Sequence, residues 1–209
     1  MERLMLECKT MKEDILEQLV EDWLQAKGYF TRANLKFSPA PEYPGYEPNK
    51  DCVGSDIDVI GVNPLLGGID AVVVVGCKSW QSGFSIKAIT EALLRNPDRK
   101  IGGKPAWKHF RELVVPKWTD AFLRCVREHT GQTKFRYVTA VAWLQDPEHK
   151  DLWCNTQFTT AMQKNPVGIL TLREMLSEVF ERLGTTVASS QFSRTLQLLK
   201  AARIGVELR

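Results

Sequence analysis

The chain has 209 residues, a net charge of +3, 44% hydrophobic and 25% charged residues. That balance excludes wholesale disorder, a coiled coil and a fibre, and the length suits one domain whose core needs no disulfide or metal staple. No apolar run approaches the roughly 20 residues of a membrane span.

Residues 1–14 contain acids and no apolar segment, so they do not read as a secretory signal. The first helix begins at Thr10, where Thr10 and Glu13 form a capping box. Ile15, Leu16, Leu19, Val20, Trp23 and Leu24 then recur at helical spacing, and Gly28 is the natural stop. Residues 29–37 read as a strand. Residues 38–53, with four prolines and two tyrosines, read as an ordered loop. Residues 55–62 alternate Asp56 and Asp58 with Ile57 and Val59, a strand pattern. Residues 71–78 form a continuous apolar run, the signature of a central strand buried on both faces. Ser85 caps a helix to about Arg95, and the basic, Gly/Pro-rich residues 97–105 read as a loop. A helical stretch over 105–128 is interrupted near Pro116, and residues 134–144 form a strong strand. A helix near 150–163, a short strand at 167–170, a helix capped by Thr171 with Glu174, and a last helix at about 190–203 complete the chain. The order helix, strand, strand, strand, helix, strand predicts an α/β fold with a mixed central sheet flanked by helices. The chain reads as a single domain, with a core over about 11–144 and a helical extension over about 150–209. The apolar stripe from Leu170 to Leu183 reads as packing against that core.

The five cysteines, Cys8, Cys52, Cys77, Cys125 and Cys154, are scattered with no CxxC pair, as in a reduced cytoplasmic protein. His109, His129 and His149 are isolated and form no metal-binding cluster in sequence. Charge is uneven. Residues 78–136 hold thirteen Lys or Arg against five Asp or Glu, so a basic middle sits on an acidic body. That asymmetry suits a polyanion-binding face and also suits ordinary solvated helix surfaces.

Asp58 lies on one strand, with Asp56 two residues earlier on the same face, and Lys78 ends the next. A hairpin-like connection sets Asp58 and Lys78 side by side. A carboxylate beside an ammonium at strand ends suits metal-assisted hydrolysis: the carboxylate holds a hard cation and the lysine serves the attacking water or the developing charge. A plain ion pair gives the same spacing. No GxxxxGK[ST], GxSxG or HExxH motif is present, and the order of Ser, His and Asp suggests no triad.

The segments Glu17-Gln-Leu-Val-Glu-Asp-Trp-Leu-Gln-Ala-Lys-Gly28-Tyr29, Ser55-Asp-Ile-Asp58-Val-Ile-Gly and Val73-Val-Val-Gly-Cys-Lys78 together resemble the PD-(D/E)xK nuclease superfamily. The resemblance is to its restriction-endonuclease-like branch, with Mrr-type and Holliday-junction-resolvase-type proteins, and covers residues 13–144. It implies an αβββαβ core with C-terminal helical additions. It also implies a metal-dependent DNA endonuclease of restriction, defence or repair that uses Mg²⁺ or Mn²⁺, leaves a 5′-phosphate and works in some members as a homodimer. By resemblance Asp58 binds the metal, Lys78 is the motif lysine, Glu17 is the first-helix glutamate, and the Cys77 carbonyl falls where a metal ligand is often found. Gly76 departs from the pattern, because the family places an acid two residues before the lysine. Three readings follow: the acid has moved to the next helix, with Glu91 the candidate; Asp56 substitutes for it; or the site is degenerate and the fold serves DNA binding or protein interaction. Trp80 and Gln81 follow the lysine where a similar segment of the Mrr-like branch meets the scissile phosphate, and are expected to touch DNA. Arg99, Lys100, Lys104, Lys108 and Arg111, interleaved with aromatics, are expected to follow a phosphate chain.

Overall fold

The structure, a computed structural model, describes residues 15–184 and 190–204. The capping box expected at Thr10 and Glu13, and Cys8, lie outside the described residues. Helix α1 (Ile15–Ala26) buries Leu16, Leu19, Val20, Trp23 and Leu24 on one stripe. It stops ahead of Gly28, whose φ of +85° is open to glycine without a steric penalty. Strand β1 (Phe30–Phe37) follows, then a one-turn helix α2 (Pro48–Asp51) inside the segment expected to be loop. Pro48 starts that turn because its missing N–H costs nothing at a helix N-terminus. Strands β2 (Ser55–Val62) and β3 (Val72–Lys78) pair antiparallel, and Val72 to Val75 are buried throughout, as a central strand requires.

Helix α3 (Ile86–Arg95) is capped by Ser85, whose hydroxyl accepts the Ala88 N–H. Asp146 reinforces this start from far along the chain: its carboxylate accepts the N–H groups of Ile86 at 2.7 Å and Lys87 at 2.9 Å. The stretch expected to be a loop over 97–105 contains a small hairpin, β4 (Lys100–Ile101) and β5 (Lys104–Pro105). Gly102 and Gly103 both have positive φ, the requirement of a tight primed turn. The helical stretch beyond it divides into a 3-10 turn (Ala106–His109), α4 (Arg111–Val114) and α5 (Pro116–Thr130), with Pro116 opening α5.

Strand β6 (Arg136–Val141) comes next. The single helix expected over 150–163 is instead a 3-10 segment (Pro147–Cys154) and helix α6 (Thr156–Ala161). The break is Asn155, which stays extended so that its side chain can accept the Phe158 N–H as a new cap. Strand β7 (Val167–Thr171) and helix α7 (Leu172–Arg182) follow. Thr171 and Glu174 form the expected capping box, and Ser190 caps α8 (Gln191–Ala201).

The fold is α/β, with one mixed sheet in the order β1-β2-β3-β6-β7. The pairs β1/β2 and β2/β3 are antiparallel, whereas β3/β6 and β6/β7 are parallel. Helices flank both faces. On one face, α1, α7 and α8 cover Val59, Val73, Val75, Val138 and Ala140. The apolar stripe of α7 is buried there through Met175 and Val179, as expected. On the other face, α3, α4 and α5 cover Ile60, Val72, Val74, Tyr137 and Val141. Cys52, Cys125 and Cys154 are free thiols. No described helix is long and apolar enough to cross a membrane.

One ion pair is buried beside the second face. Asp51 is 2% exposed and takes a 2.7 Å bond from Lys117 and another of 2.7 Å from the Glu47 N–H. Burial pushes the Asp51 carboxyl up, but these donors outweigh it and hold its pKa below the ordinary value of 3.8. Lys117→Met leaves that carboxylate unpaired and is expected to cost about 3 kcal/mol in urea unfolding at neutral pH. The stabilisation from the pair is present above the ordinary carboxylate range and is lost as pH falls through the depressed pKa. The gap between wild type and variant therefore narrows in acid.

Candidate functional site

The site is organised around Gly76. The register that pairs Val59 with Val75 brings Asp58 of β2 beside Gly76 of β3. Asp58 Oδ2 accepts the N–H of Cys77 at 2.5 Å. A Cβ added at Gly76 would meet Tyr137 Oη at 3.2 Å and Asp58 Oδ2 at 4.0 Å, so the space a motif acid would enter is filled from β6. The Tyr137 hydroxyl in turn donates to Glu112 Oε1 of α4 at 2.5 Å. Glu112 is thus the acid that the structure brings toward Asp58.

Asp56, Asp58, Lys78, Lys108, His109 and Glu112 all line one cleft of about 200 Å³. Asp58 is pushed above the ordinary aspartate pKa, chiefly by burial. Lys78 and the Cys77 N–H pull it back, while the nearby charges of Asp56 and Glu112 add to the rise. Tyr137 is fully buried and its pKa is raised well above 10.0 by burial and by Glu112, so it stays protonated as the donor of its bond. His109 Nε2 lies 2.9 Å from the Ile101 carbonyl, which assigns the proton to Nε2 and leaves Nδ1 as the acceptor nitrogen. Burial lowers the His109 pKa against the opposing Ile101 bond, and Lys78 and Lys104 lower it further.

Lys78 ends β3 with its ammonium 3.0 Å from the Cys77 carbonyl and 5.4 Å from the Phe110 ring centroid. The carbonyl expected to ligate a metal thus carries a bond from the motif lysine. Asp56 lines the cleft and is also paired with Lys36 at 2.6 Å. Glu91 is not brought to the cleft. It lies on the exposed stripe of α3 with Lys87 and Arg95, and bonds Arg95 at 3.3 Å, because Ile86, Ile89, Thr90 and Leu93 are the positions that face the core. Glu17 stands on α1, which packs on the opposite face of the sheet, and is not among the cleft residues.

The expected DNA-contacting residues divide into two groups. Arg99, Lys100 and Lys104 are exposed on or beside the β4–β5 hairpin, and Lys108 is exposed in the cleft wall. Trp80 instead stacks on Phe84 at 5.6 Å and meets His109 edge-on at 5.1 Å. Arg111 is a half-buried strut, 4.5 Å from the Trp118 ring centroid, with one N–H directed to the Val53 carbonyl. Gln81 is exposed, and its carbonyl accepts the indole N–H of Trp143.

Sequence reasoning missed Glu112, His109 and Tyr137. One signal was available: only five acids lie between Lys78 and Arg136, and Glu112 directly follows the Trp107-Lys-His-Phe-Arg run. Among the described residues no group of three His, Cys, Asp or Glu side chains converges tightly enough to hold a metal alone. Three carboxylates, Asp56, Asp58 and Glu112, line one cleft, and such a set of oxygen donors fits a cation that keeps most of its own water, as Mg²⁺ does.

Compared with protein-family models, with curated proteins and with solved structures, the chain matches none.

Because burial raises the folded pKa of Asp58, ionising it opposes folding above the ordinary carboxylate range. Asp58→Asn is expected to raise stability at neutral pH by on the order of 1 kcal/mol, a gain typical of neutralising a strained functional site. The advantage shrinks as pH falls through the raised folded pKa and is gone below 3.8, where the aspartate is protonated folded and unfolded alike. Melting temperatures across that range read it out, and an Asn variant less stable than wild type at neutral pH would show that the cleft is not strained.

Proposed function

We propose that the chain is a metal-dependent DNA endonuclease of the PD-(D/E)xK type, with the restriction-endonuclease-like core, in which Glu112 replaces the acid missing at Gly76. The observation that carries this reading is the meeting of Asp58, Lys78 and Glu112 in one cleft around the vacated side-chain position of Gly76. Sheet order adds support, because the αβββαβ succession holds with antiparallel β1-β2-β3 and parallel β3/β6.

In this reading Asp58 and Glu112 hold Mg²⁺ or Mn²⁺, which when bound supplies charge neutralisation at the phosphate and acidifies a water. Tyr137 fixes Glu112 by its hydroxyl, so the acid arrives pre-oriented on a buried anchor. Lys78 leaves the Cys77 carbonyl to face the scissile phosphate, where its ammonium stabilises the negative charge that grows on the non-bridging oxygens. Lys108 and the β4–β5 hairpin provide phosphate contacts that place the backbone without reading sequence. The acidic floor and basic rim act in concert: the rim draws in the polyanion and the floor keeps the cation.

A second reading keeps the fold and the DNA and drops the chemistry. It is favoured by the bond between Lys78 and the Cys77 carbonyl and by the lack of a three-residue metal group among the described residues. Plasmid cleavage with Mg²⁺ and then Mn²⁺ separates the two. An active site predicts that Asp58→Ala, Lys78→Ala and Glu112→Gln each lower the rate about 100-fold or more, while Glu91→Ala leaves it unchanged. Glu112→Gln keeps the partner of Tyr137 and removes only the charge. Salt-sensitive binding without cleavage of supercoiled, linear, single-stranded or branched DNA would establish the second reading.

A further inference from the structure

Strands β3 and β6 end together, with Lys78 paired to Val141. The loops that leave them are laced to each other. The Phe84 N–H reaches the Trp143 carbonyl at 3.0 Å, the Gln145 N–H reaches the Phe84 carbonyl at 3.0 Å, and the Gln145 side chain donates to the Ser82 carbonyl at 2.7 Å. Trp143 stands in this junction two residues beyond the strand partner of Lys78. Its indole N–H donates to the Gln81 carbonyl at 3.2 Å, which fixes the ring. One side of the ring lies against Gly83, where a Cβ would come within 2.5–2.8 Å of three ring atoms. Gly83 also has φ +83°, so both conformation and close approach call for glycine. Yet Trp143 is 48% exposed. A large apolar ring is thus held rigidly, with its polar atom satisfied, and left open to solvent.

The surroundings identify its occupant. Open α/β sheets bind ligands outside the carboxyl ends of their parallel strands, and Trp143 lies at that end, two residues past the strand partner of Lys78. The cleft wall and adjoining hairpin carry Lys78, Lys108, Lys104, Lys100 and Arg99, a cationic set suited to a chain of phosphates. A fixed indole at the sheet end where Lys78 stands matches an unpaired nucleobase, whose flat face stacks on an aromatic ring irrespective of sequence.

We propose that Trp143, propped on Gly83, is a stacking platform for an unpaired base, and that the chain prefers nucleic acid with single-stranded character next to the site of reaction. This rests on the nuclease reading and names the substrate class for it. Within a duplex both flat faces of each base are covered by its stacked neighbours and offer nothing to the indole. The platform therefore contributes only where a strand is open.

The test is equilibrium binding of the full chain, without divalent metal, to a labelled single-stranded oligonucleotide and to its blunt duplex. Trp143→Ala is expected to weaken single-strand binding by about 5- to 100-fold and to leave duplex binding unchanged, with Trp143→Phe retaining most of the affinity. The salt dependence of single-strand binding stays the same in Trp143→Ala, because no charge is removed, whereas Lys108→Ala flattens it. Gly83→Ala, which displaces the ring without removing it, is expected to reproduce the single-strand loss, with circular dichroism verifying the fold of each variant. Wild type that binds both forms, with an unchanged ratio in Trp143→Ala, would overturn the platform and leave the nuclease reading intact. Wild type that binds neither form would overturn both.

Discussion

The parallel pairing of β3 with β6 is the constraint from which the rest of the molecule follows. Parallel neighbours cannot be joined by a tight turn, so the chain between them must cross the sheet. That crossover holds α3, the β4–β5 hairpin, α4 and α5, and it builds most of one face, which Trp153, Phe158 and Met162 complete from beyond β6. Its middle passes the end of β3, which is why Lys108, His109 and Glu112 arrive at the same cleft as Asp58 and Lys78. The same pairing brings the loops after β3 and β6 together, so that Asp146 caps α3 and Trp143 rests on Gly83.

Gly76 shows how a locally poor choice becomes consistent in three dimensions. Glycine weakens a strand, since it adds entropy to the unfolded chain and offers nothing to pack. Here its missing side chain leaves room for the Tyr137 hydroxyl, which reaches across to Glu112. An acid placed at Gly76 would crowd that hydroxyl and add like charge beside Asp58 and Glu112. The cleft instead gathers its carboxylates from β2 and α4. Burial raises the Asp58 pKa against the pull of Lys78, so stability is given up where these carboxylates gather.

The opposite face has a different character. Helices α7 and α8 close over α1, and the polar groups in that layer are matched. The hydroxyls of Ser190 and Ser193 donate to the buried Asp22 at 2.6 and 2.7 Å. Trp23 Nε1 and Lys27 both reach Glu178, at 2.8 and 2.9 Å. These contacts account for the C-terminal segment as the second cover of the sheet. In α8, Leu196 faces that layer while Leu198 is exposed.

Much of the fold was legible in the sequence because it rests on short-range rules. The buried run of β3, the Ser85 and Thr171 caps, the Gly28 stop and the Pro116 break each act within a few residues. The spacing of Asp58 and Lys78 was legible for the same reason: consecutive antiparallel strands place their residues by register. Glu112, His109 and Trp143 were not legible in that way. Their place depends on the path of a long crossover and on which side chain fills the space above Gly76, and neither leaves a local pattern. Glu91 illustrates the difference, since helical periodicity alone turns it to solvent once the core face of α3 is chosen. The sequence by itself determined the main elements, the mixed sheet and the placing of Asp58 and Lys78 on neighbouring strands. Only the tertiary structure decided which acid joins them, because that choice is made by packing between residues far apart in the chain.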